Sequence, residues 1–399
     1  WKVNNSVYPE RRWKSIKEMA MDKYEKPTGS YISFMSNKVK SQGGINLAQG
    51  IPGFQPPRDL LQYLSDIAFN PIHQYAPGDG NNELLELLVD KYAQYKSFRE
   101  EDFLVTNGAT EAVSLLYTYF NHILDKPYAA LAFEPVYESY KKLPEIFGDE
   151  FIAFPYEADG KVDFDKLVKT CREQRVKVIF LNTPGNPFGK IWSGEEIDAL
   201  DQLAVHEDIF IVVDGVYQEL YYDESPYHPI RNFSDQMFYV NSFSKIFSIT
   251  GWRIGYMIAP RNHMATIKSI HDYTGLCVPS VLQEAIVRYI KQHNWGKGYI
   301  ESLRNKLKAG LKLVKPGLEE LGFHIPDIGG GFFIWAALPE GLQDGFRFTI
   351  DLYDQQKVAV IPGEHFSERH THYIRLNIAR EKEELSEALK RIQKFVAGS

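Results

Sequence analysis

The chain has 399 residues, 44% of them hydrophobic and 14% aromatic, which is enough apolar side chain for a large core shared by two domains. Its formal charge of −7 argues against a nucleic-acid partner held through phosphate contacts, and the short basic run Glu10-Arg11-Arg12-Trp13-Lys14 reads as a solvated helix face. Cys171 and Cys277 offer neither a disulfide framework nor metal-ligand spacing, so a reducing, cytoplasmic setting is the default, and apolar runs such as 178–181 and 209–213 are too short for a membrane span.

Residues up to about 44 read as a polar and aromatic arm with a helix, and a βα alternation begins at Ile45. A short strand is predicted over 101–106; it breaks at Asn107-Gly108 and gives way to a helix over 110–120. Further strands are predicted over 128–133, 176–182, 209–214 and 237–241, with helices over 164–171 and 195–206. Continuous apolar strands alternating with amphipathic helices imply a largely parallel sheet covered on both faces. Beyond about Ser280 the pattern changes to long helices (283–292, 299–321) and short strands (331–337, 358–361, 372–378). The expected division is an arm over 1–45, a large domain over 46–280 and a small α+β domain over 281–399, completed by the arm.

Ligands of open parallel sheets bind outside the carboxyl ends of the strands, and the unusual polar residues fall there in succession. Gly108-Ala109-Thr110 follow the first strand and Glu134-Pro135-Val136-Tyr137 the second. Thr183-Pro184-Gly185-Asn186-Pro187 follow the third, Asp214-Gly215-Val216-Tyr217 the fourth and Ser242 to Lys245 the fifth. Small residues at a helix start make an anion site from backbone N–H groups, with Thr110 adding a hydroxyl; taken alone the turn also reads as an N-cap. Asp214 at a buried strand end needs a cationic or hydrogen-bonding partner, because an unpaired buried carboxylate is costly. Arg375, inside an apolar strand pattern, needs an anion: a substrate carboxylate, or an internal salt bridge. Lys245 stands among hydroxyls, eight residues before Arg253. A lysine amine can form a Schiff base with an aldehyde cofactor, while the arginine fork and Ser242 suit that cofactor's phosphate.

Ser242-x-x-Lys245 with Arg253 and Gly255, together with Asn186-Pro187, Asp214-x-x-Tyr217 and Arg375 in this order, resembles the class I/II pyridoxal-phosphate aminotransferases from about Ile45 to Arg380. The resemblance implies fold type I: an α/β large domain with a mainly parallel seven-stranded sheet covered by helices, plus a smaller α+β domain. It implies pyridoxal 5'-phosphate as cofactor and amino acids and 2-oxo acids as substrates. Lys245 would be Schiff-base lysine and proton shuttle, Asp214 the partner of the pyridine nitrogen, and Asn186 and Tyr217 the partners of the phenolic oxygen. Ser242, Arg253, Gly108, Ala109 and Thr110 would hold the phosphate, and Tyr137 would stack on the ring. Arg375, Asn186 and the Gly50 backbone would receive the substrate carboxylate. Tyr75 matches a tyrosine that crosses a dimer to the neighbouring site, which implies a homodimer.

Within the class, Asn46-Leu47-Ala48-Gln49-Gly50-Ile51-Pro52-Gly53-Phe54, the Tyr75 segment and Thr250-Gly251-Trp252-Arg253 look like the methionine, glutamine and kynurenine subgroup. Gly53, Phe188 and Gly215 depart from the residues common there (Asp, Thr and Glu). The segment 271–279 lacks an arginine for a second carboxylate, and Ile51, Phe333 and Tyr31 are apolar or aromatic. The expected donor is therefore neutral: hydrophobic, sulfur-containing or aromatic. A carbon–sulfur β-lyase on the same scaffold is the alternative, since the cofactor carries the chemistry and the pocket selects the bond. A phosphate-binding loop at Gly185–Lys190 fails on spacing, with Ile191 where Ser or Thr is required. His365, His370 and His372 read as a solvated loop rather than a metal site.

Overall fold

The structure is a computed structural model that describes residues 23–157 and 160–398; the basic run at 10–14 and the rest of the expected arm up to residue 22 lie outside the described residues. Twelve strands are formed among them. They are β1 Ile45–Asn46, β2 Phe103–Thr106, β3 Ala129–Glu134, β4 Glu150–Pro155, β5 Val176–Asn182 and β6 Phe210–Asp214, then β7 Met237–Ser242, β8 Gly255–Ile258, β9 Phe333–Ala337, β10 Val358–Ala359, β11 Ile361–Pro362 and β12 Tyr373–Asn377.

Seven of these make one sheet in the order β2-β8-β7-β6-β5-β3-β4. Pairing is parallel from β4 through β7, and only β8 runs against the rest, antiparallel to both β7 and β2. The apolar strand runs follow from burial on both faces. In β5, Val178 and Phe180 join Tyr117, Phe120 and Phe238 in one core, while Ile179 and Leu181 join Trp192, Ile211 and Val213 in another. Each such side chain contributes about 1.5–3 kcal/mol relative to exposure, so neither face of a central strand tolerates alternation with polar residues.

Two sheet strands escape the sequence pattern for physical reasons. β4 pairs on one side only and is part-exposed along most of its length, so its apolar run is diluted. β8 has four residues, begins at a glycine and follows Arg253 with φ of 57°, so its sequence reads as a turn.

The remaining strands form a three-stranded antiparallel sheet, β11-β12-β9, and a two-stranded parallel pair, β1-β10. The predicted strand over 358–361 is thus two strands in different sheets. Helix Tyr31–Gln42 packs on β10 and β11, and helix Lys297–Glu319 packs on helix Lys382–Val396. Early and late segments of the chain therefore share one layer. No helix among the described residues is long and apolar enough to cross a membrane.

The departures from the resemblance have packing reasons. A side chain at Gly53 would run into Arg380, whose guanidinium donates to the Asn46 carbonyl, and one at Gly215 would run into the Tyr239 hydroxyl. Phe188 stacks on Tyr156 with ring centroids 5.4 Å apart. His365 is a correction: its side chain is 6% exposed and packs against Tyr31 and Phe366 instead of being solvated.

Candidate active site

The carboxyl ends of β2, β3, β5, β6 and β7 lie along one edge of the large sheet. The amino end of β8 joins them because that strand runs backwards: Thr106 and Ser242 both register with Gly255. A cavity of about 240 Å³ opens at this edge. Its wall includes Gly50, Ala109, Thr110, Tyr137, Asn186 and Asp214, together with Tyr217, Ser242, Lys245, Arg253 and Arg375. Gly108 stands directly behind Ala109 as the N-cap of helix Ala109–Ile123. Tyr75 is not in the wall; it is 83% exposed on the outside of the chain.

Lys245 projects from the short helix Phe243–Ile246, which the Ser242 hydroxyl caps by accepting from the Ser244 N–H at 3.1 Å. The Lys245 amine donates to the Gly50 carbonyl at 2.7 Å. Burial, then the positive charge of Arg375, lowers its pKa from 10.5 to about 8, with Asp214 opposing and Arg253 assisting. The cofactor-free chain then carries an unfavourable buried cation below pH 8, worth up to about 3 kcal/mol. The unfolded chain binds the extra proton between about pH 8 and 10.5, so this cost is relieved as pH rises through that window. Urea midpoints of the cofactor-free wild type should gain on those of Lys245→Met below pH 10.5 as pH is raised from 8; parallel curves would refute the assignment.

Asp214 ends β6 and is 6% exposed. Its Oδ2 accepts from the Tyr140 hydroxyl at 2.6 Å and its Oδ1 from the Val216 N–H at 3.1 Å. Burial pushes its pKa up, and these two bonds and the charge of Lys245 work against the rise. Tyr140 is a residue the sequence reading missed. Its ring stacks on Phe180 at 5.1 Å with 5° between planes, and meets Tyr137 edge-on at 5.4 Å. Its position three residues after Tyr137, one turn along helix Glu138–Phe147, was the available signal.

Arg375, in the middle of β12, is fully buried. Its Nη1 donates to Asn186 Oδ1 at 3.0 Å and its Nη2 to the Ala48 carbonyl at 2.6 Å, and Nε has no hydrogen-bond partner among the described residues. The guanidinium carbon lies 4.2 Å from the centre of the Phe333 ring and 4.8 Å from that of Phe366. Burial lowers its pKa only to about 10, so it is charged at neutral pH. Among the described residues no carboxylate forms an ion pair with it. Tyr217 is buried edge-on to Phe332 at 5.2 Å.

Arg253 donates to the Thr250 carbonyl at 3.1 Å and to the Asn107 carbonyl at 3.2 Å. The guanidinium lies against Gly108, where φ is 81° and a Cβ would come within 2.4 Å of Arg253 Nη2. Only glycine permits both the conformation and the contact. Glu111, also missed by the sequence reading, accepts from the Asn107 backbone and side chain and so ties the turn to the first helical turn. A helix N-terminus, an arginine fork and the Thr110 and Ser242 hydroxyls converge here as an anion site.

Residues 42–392 match the family of aminotransferases class I and II. The chain belongs to that family. This aminotransferase is 27% identical to a probable N-succinyldiaminopimelate aminotransferase of Mycobacterium tuberculosis, over 90% of this chain and 94% of the relative. It is similar to the solved structure of the N-succinyldiaminopimelate aminotransferase from the same organism, with a TM-score of 0.84 and 26% identity over 92% of this chain and 97% of that one. It is also similar to the aspartate aminotransferase from Thermus thermophilus with maleate, with a TM-score of 0.85 and 25% identity over 92% and 97%. The fold is that of the pyridoxal-phosphate aminotransferases of fold type I, and pyridoxal phosphate is the cofactor of the family.

The residues present fit that cofactor. A buried carboxylate whose pKa is pushed up by burial calls for a cationic N–H opposite it, as a protonated pyridine provides. Ala109, Thr110, Ser242 and Arg253 line the cavity at the start of helix Ala109–Ile123, where N–H, hydroxyl and guanidinium donors suit a phosphate, and the Lys245 amine in the same wall approaches its neutral, nucleophilic form near pH 8.

Proposed function

We propose that this aminotransferase moves the amino group of a neutral donor to a 2-oxo acid in a ping-pong cycle, the donor being hydrophobic, sulfur-containing or aromatic, of the methionine, kynurenine or glutamine kind. One observation carries the reading: Arg375 is a buried guanidinium to which no carboxylate of the described residues is ion-paired, and it lines the same cavity as the Lys245 amine. Arg375 receives the donor's α-carboxylate through Nε and an Nη group, oriented by the Asn186 amide and backed by the Phe333 ring. Bound pyridoxal phosphate supplies an aldehyde that condenses with amines and a ring that accepts the electron pair left at the α-carbon. The Lys245 Nζ, once a neutral amine, would take the proton from the donor's α-carbon. Asp214, held by Tyr140 and Val216, keeps a proton on the ring nitrogen. Tyr217 and Asn186 would hold the ring's oxygen, Tyr137 would cover its face, and Ser242, Arg253 and the Gly108-Ala109-Thr110 turn would hold its phosphate.

Three cations line the cavity, Lys245, Arg253 and Arg375, and each already has a part in this scheme. None is left for a second carboxylate, which supports the neutral donor although relatives are named for acidic ones. The same reading places the active unit as a homodimer with Tyr75 lent to the neighbouring site. Its support is the exposure of Tyr75 (83%) beside the segment that carries Tyr273 (91%), aromatic surface of the kind subunits cover. We divide the chain into an arm over 1–45, a large domain over 46–280 and a small domain over 281–399. The free cysteines, Cys171 buried, support a cytoplasmic setting.

Absorbance spectra of the purified holoenzyme, recorded before and after a panel of amino acids, test the reading. Methionine, phenylalanine or glutamine should convert the yellow form to the pyridoxamine form, and a 2-oxo acid should restore it. Aspartate exceeding methionine and phenylalanine by an order of magnitude would remove the neutral donor; pyruvate and ammonia released without an acceptor would replace transfer by elimination.

A further inference from the structure

Glu138 lines the catalytic cavity directly after Tyr137, and it also lines an adjoining cavity of about 1000 Å³ bounded by residues 28–31 and 364–369. Among the described residues it alone lines both spaces. Its carboxylate is fixed there: Oε1 accepts from the Ser30 hydroxyl at 3.2 Å, and Oε2 lies 3.2 Å from His365 Nε2. His365 is itself held edge-on to Tyr31 at 5.6 Å, and the Tyr31 hydroxyl donates to Glu364 at 2.6 Å. Although burial works to raise its pKa, His365, Ser30 and the charge of Arg375 hold the Glu138 carboxyl below the usual range.

The cations of the adjoining cavity are engaged elsewhere. Lys141 pairs with Glu368 at 2.9 Å, Lys142 with Glu145 at 2.6 Å and Arg369 with Glu134 at 3.5 Å. A donor whose α-carboxylate sits on Arg375 and whose side chain extends toward Glu138 meets a carboxylate held in place by Ser30 and His365, while the lysines and arginine of the second cavity are paired with other carboxylates. We infer that Glu138 is a specificity-determining residue that turns away donors carrying a second carboxylate and confines the enzyme to amino acids with uncharged or cationic side chains. The inference rests on the transamination reading above and adds to it the residue that sets the substrate class. Specificity is a difference of affinities, and a like charge placed against the wrong substrate is a direct way to create one.

The test compares the first half-reaction of the holoenzyme with methionine and with aspartate, at low ionic strength, in wild type, Glu138→Gln, Glu138→Ala and Ser30→Ala. Removing the charge should raise kcat/KM for aspartate relative to methionine by at least about tenfold, mainly through the KM for aspartate. Ser30→Ala removes a hydrogen bond to the same carboxylate but keeps the charge, and should leave the ratio where it is. A wild type that prefers methionine while both Glu138 variants keep its ratio would overturn this inference and leave the proposed function standing. Equal losses for both donors would make Glu138 a structural staple and overturn it as well. A wild type that prefers aspartate would instead overturn the neutral-donor reading itself.

Discussion

Replacing Lys245 by alanine should abolish turnover while leaving the fold intact. Proton transfer by a positioned group is worth about 10²–10⁴-fold in rate, and the same change removes the covalent hold on the cofactor, so the loss in kcat should exceed about 10³-fold. The packing cost is small, because the amine's hydrogen bond in the cofactor-free chain goes to the Gly50 carbonyl at the cavity wall. Lys245→Arg separates charge from basicity. A guanidinium keeps the positive charge but cannot give up a proton at neutral pH, so the arginine variant should fall as far as the alanine one. Single-turnover spectroscopy with methionine measures both. An arginine variant retaining a tenth of wild-type activity would show that charge, not proton transfer, is what Lys245 contributes.

The next largest effect is expected at Asp214. Its carboxylate is buried at the end of β6, and its proposed counterpart is the ring nitrogen of the cofactor. Breaking a buried charge pair by removing one member costs about 3–5 kcal/mol, so Asp214→Ala should lower kcat by about 10²–10⁴-fold at 1.4 kcal/mol per decade. Tyr140→Phe removes one hydrogen bond to the same carboxylate, 2.6 Å long, and hydrogen bonds to charged groups are worth about 1.5–3 kcal/mol. Its loss should be about 10–100-fold, with the stacking on Phe180 preserved. If Tyr140→Phe matched wild type, the hydroxyl would not be positioning Asp214.

What could be read from residues alone is the chemistry at the strand ends. Apolar runs long enough to be buried on both faces announce β3, β5, β6 and β7, and a parallel sheet puts the residues after them on one edge whatever the loops between them do. Lys245, Asp214, Asn186 and Tyr137 were legible for that reason. Tyr140 and Glu138 were not. One looks like a core aromatic and the other like an acidic first-turn residue, and nothing local distinguishes either from its commoner role.

Arg375 shows the boundary most clearly. Its place inside an apolar strand demanded an anion, and the sequence could not say whether that anion was internal. Only the tertiary structure shows its surroundings: the guanidinium donates to the neutral oxygens of Asn186 and Ala48, and among the described residues no carboxylate is ion-paired with it and the Nε has no partner. The antiparallel course of β8, which brings Arg253 to the edge shared by Lys245, was likewise set by packing between distant segments. Local sequence determines which groups are expensive to bury. Only the assembled fold determines which of those groups have been left for a ligand to satisfy, because a partner supplied from two hundred residues away leaves no trace beside the residue it serves.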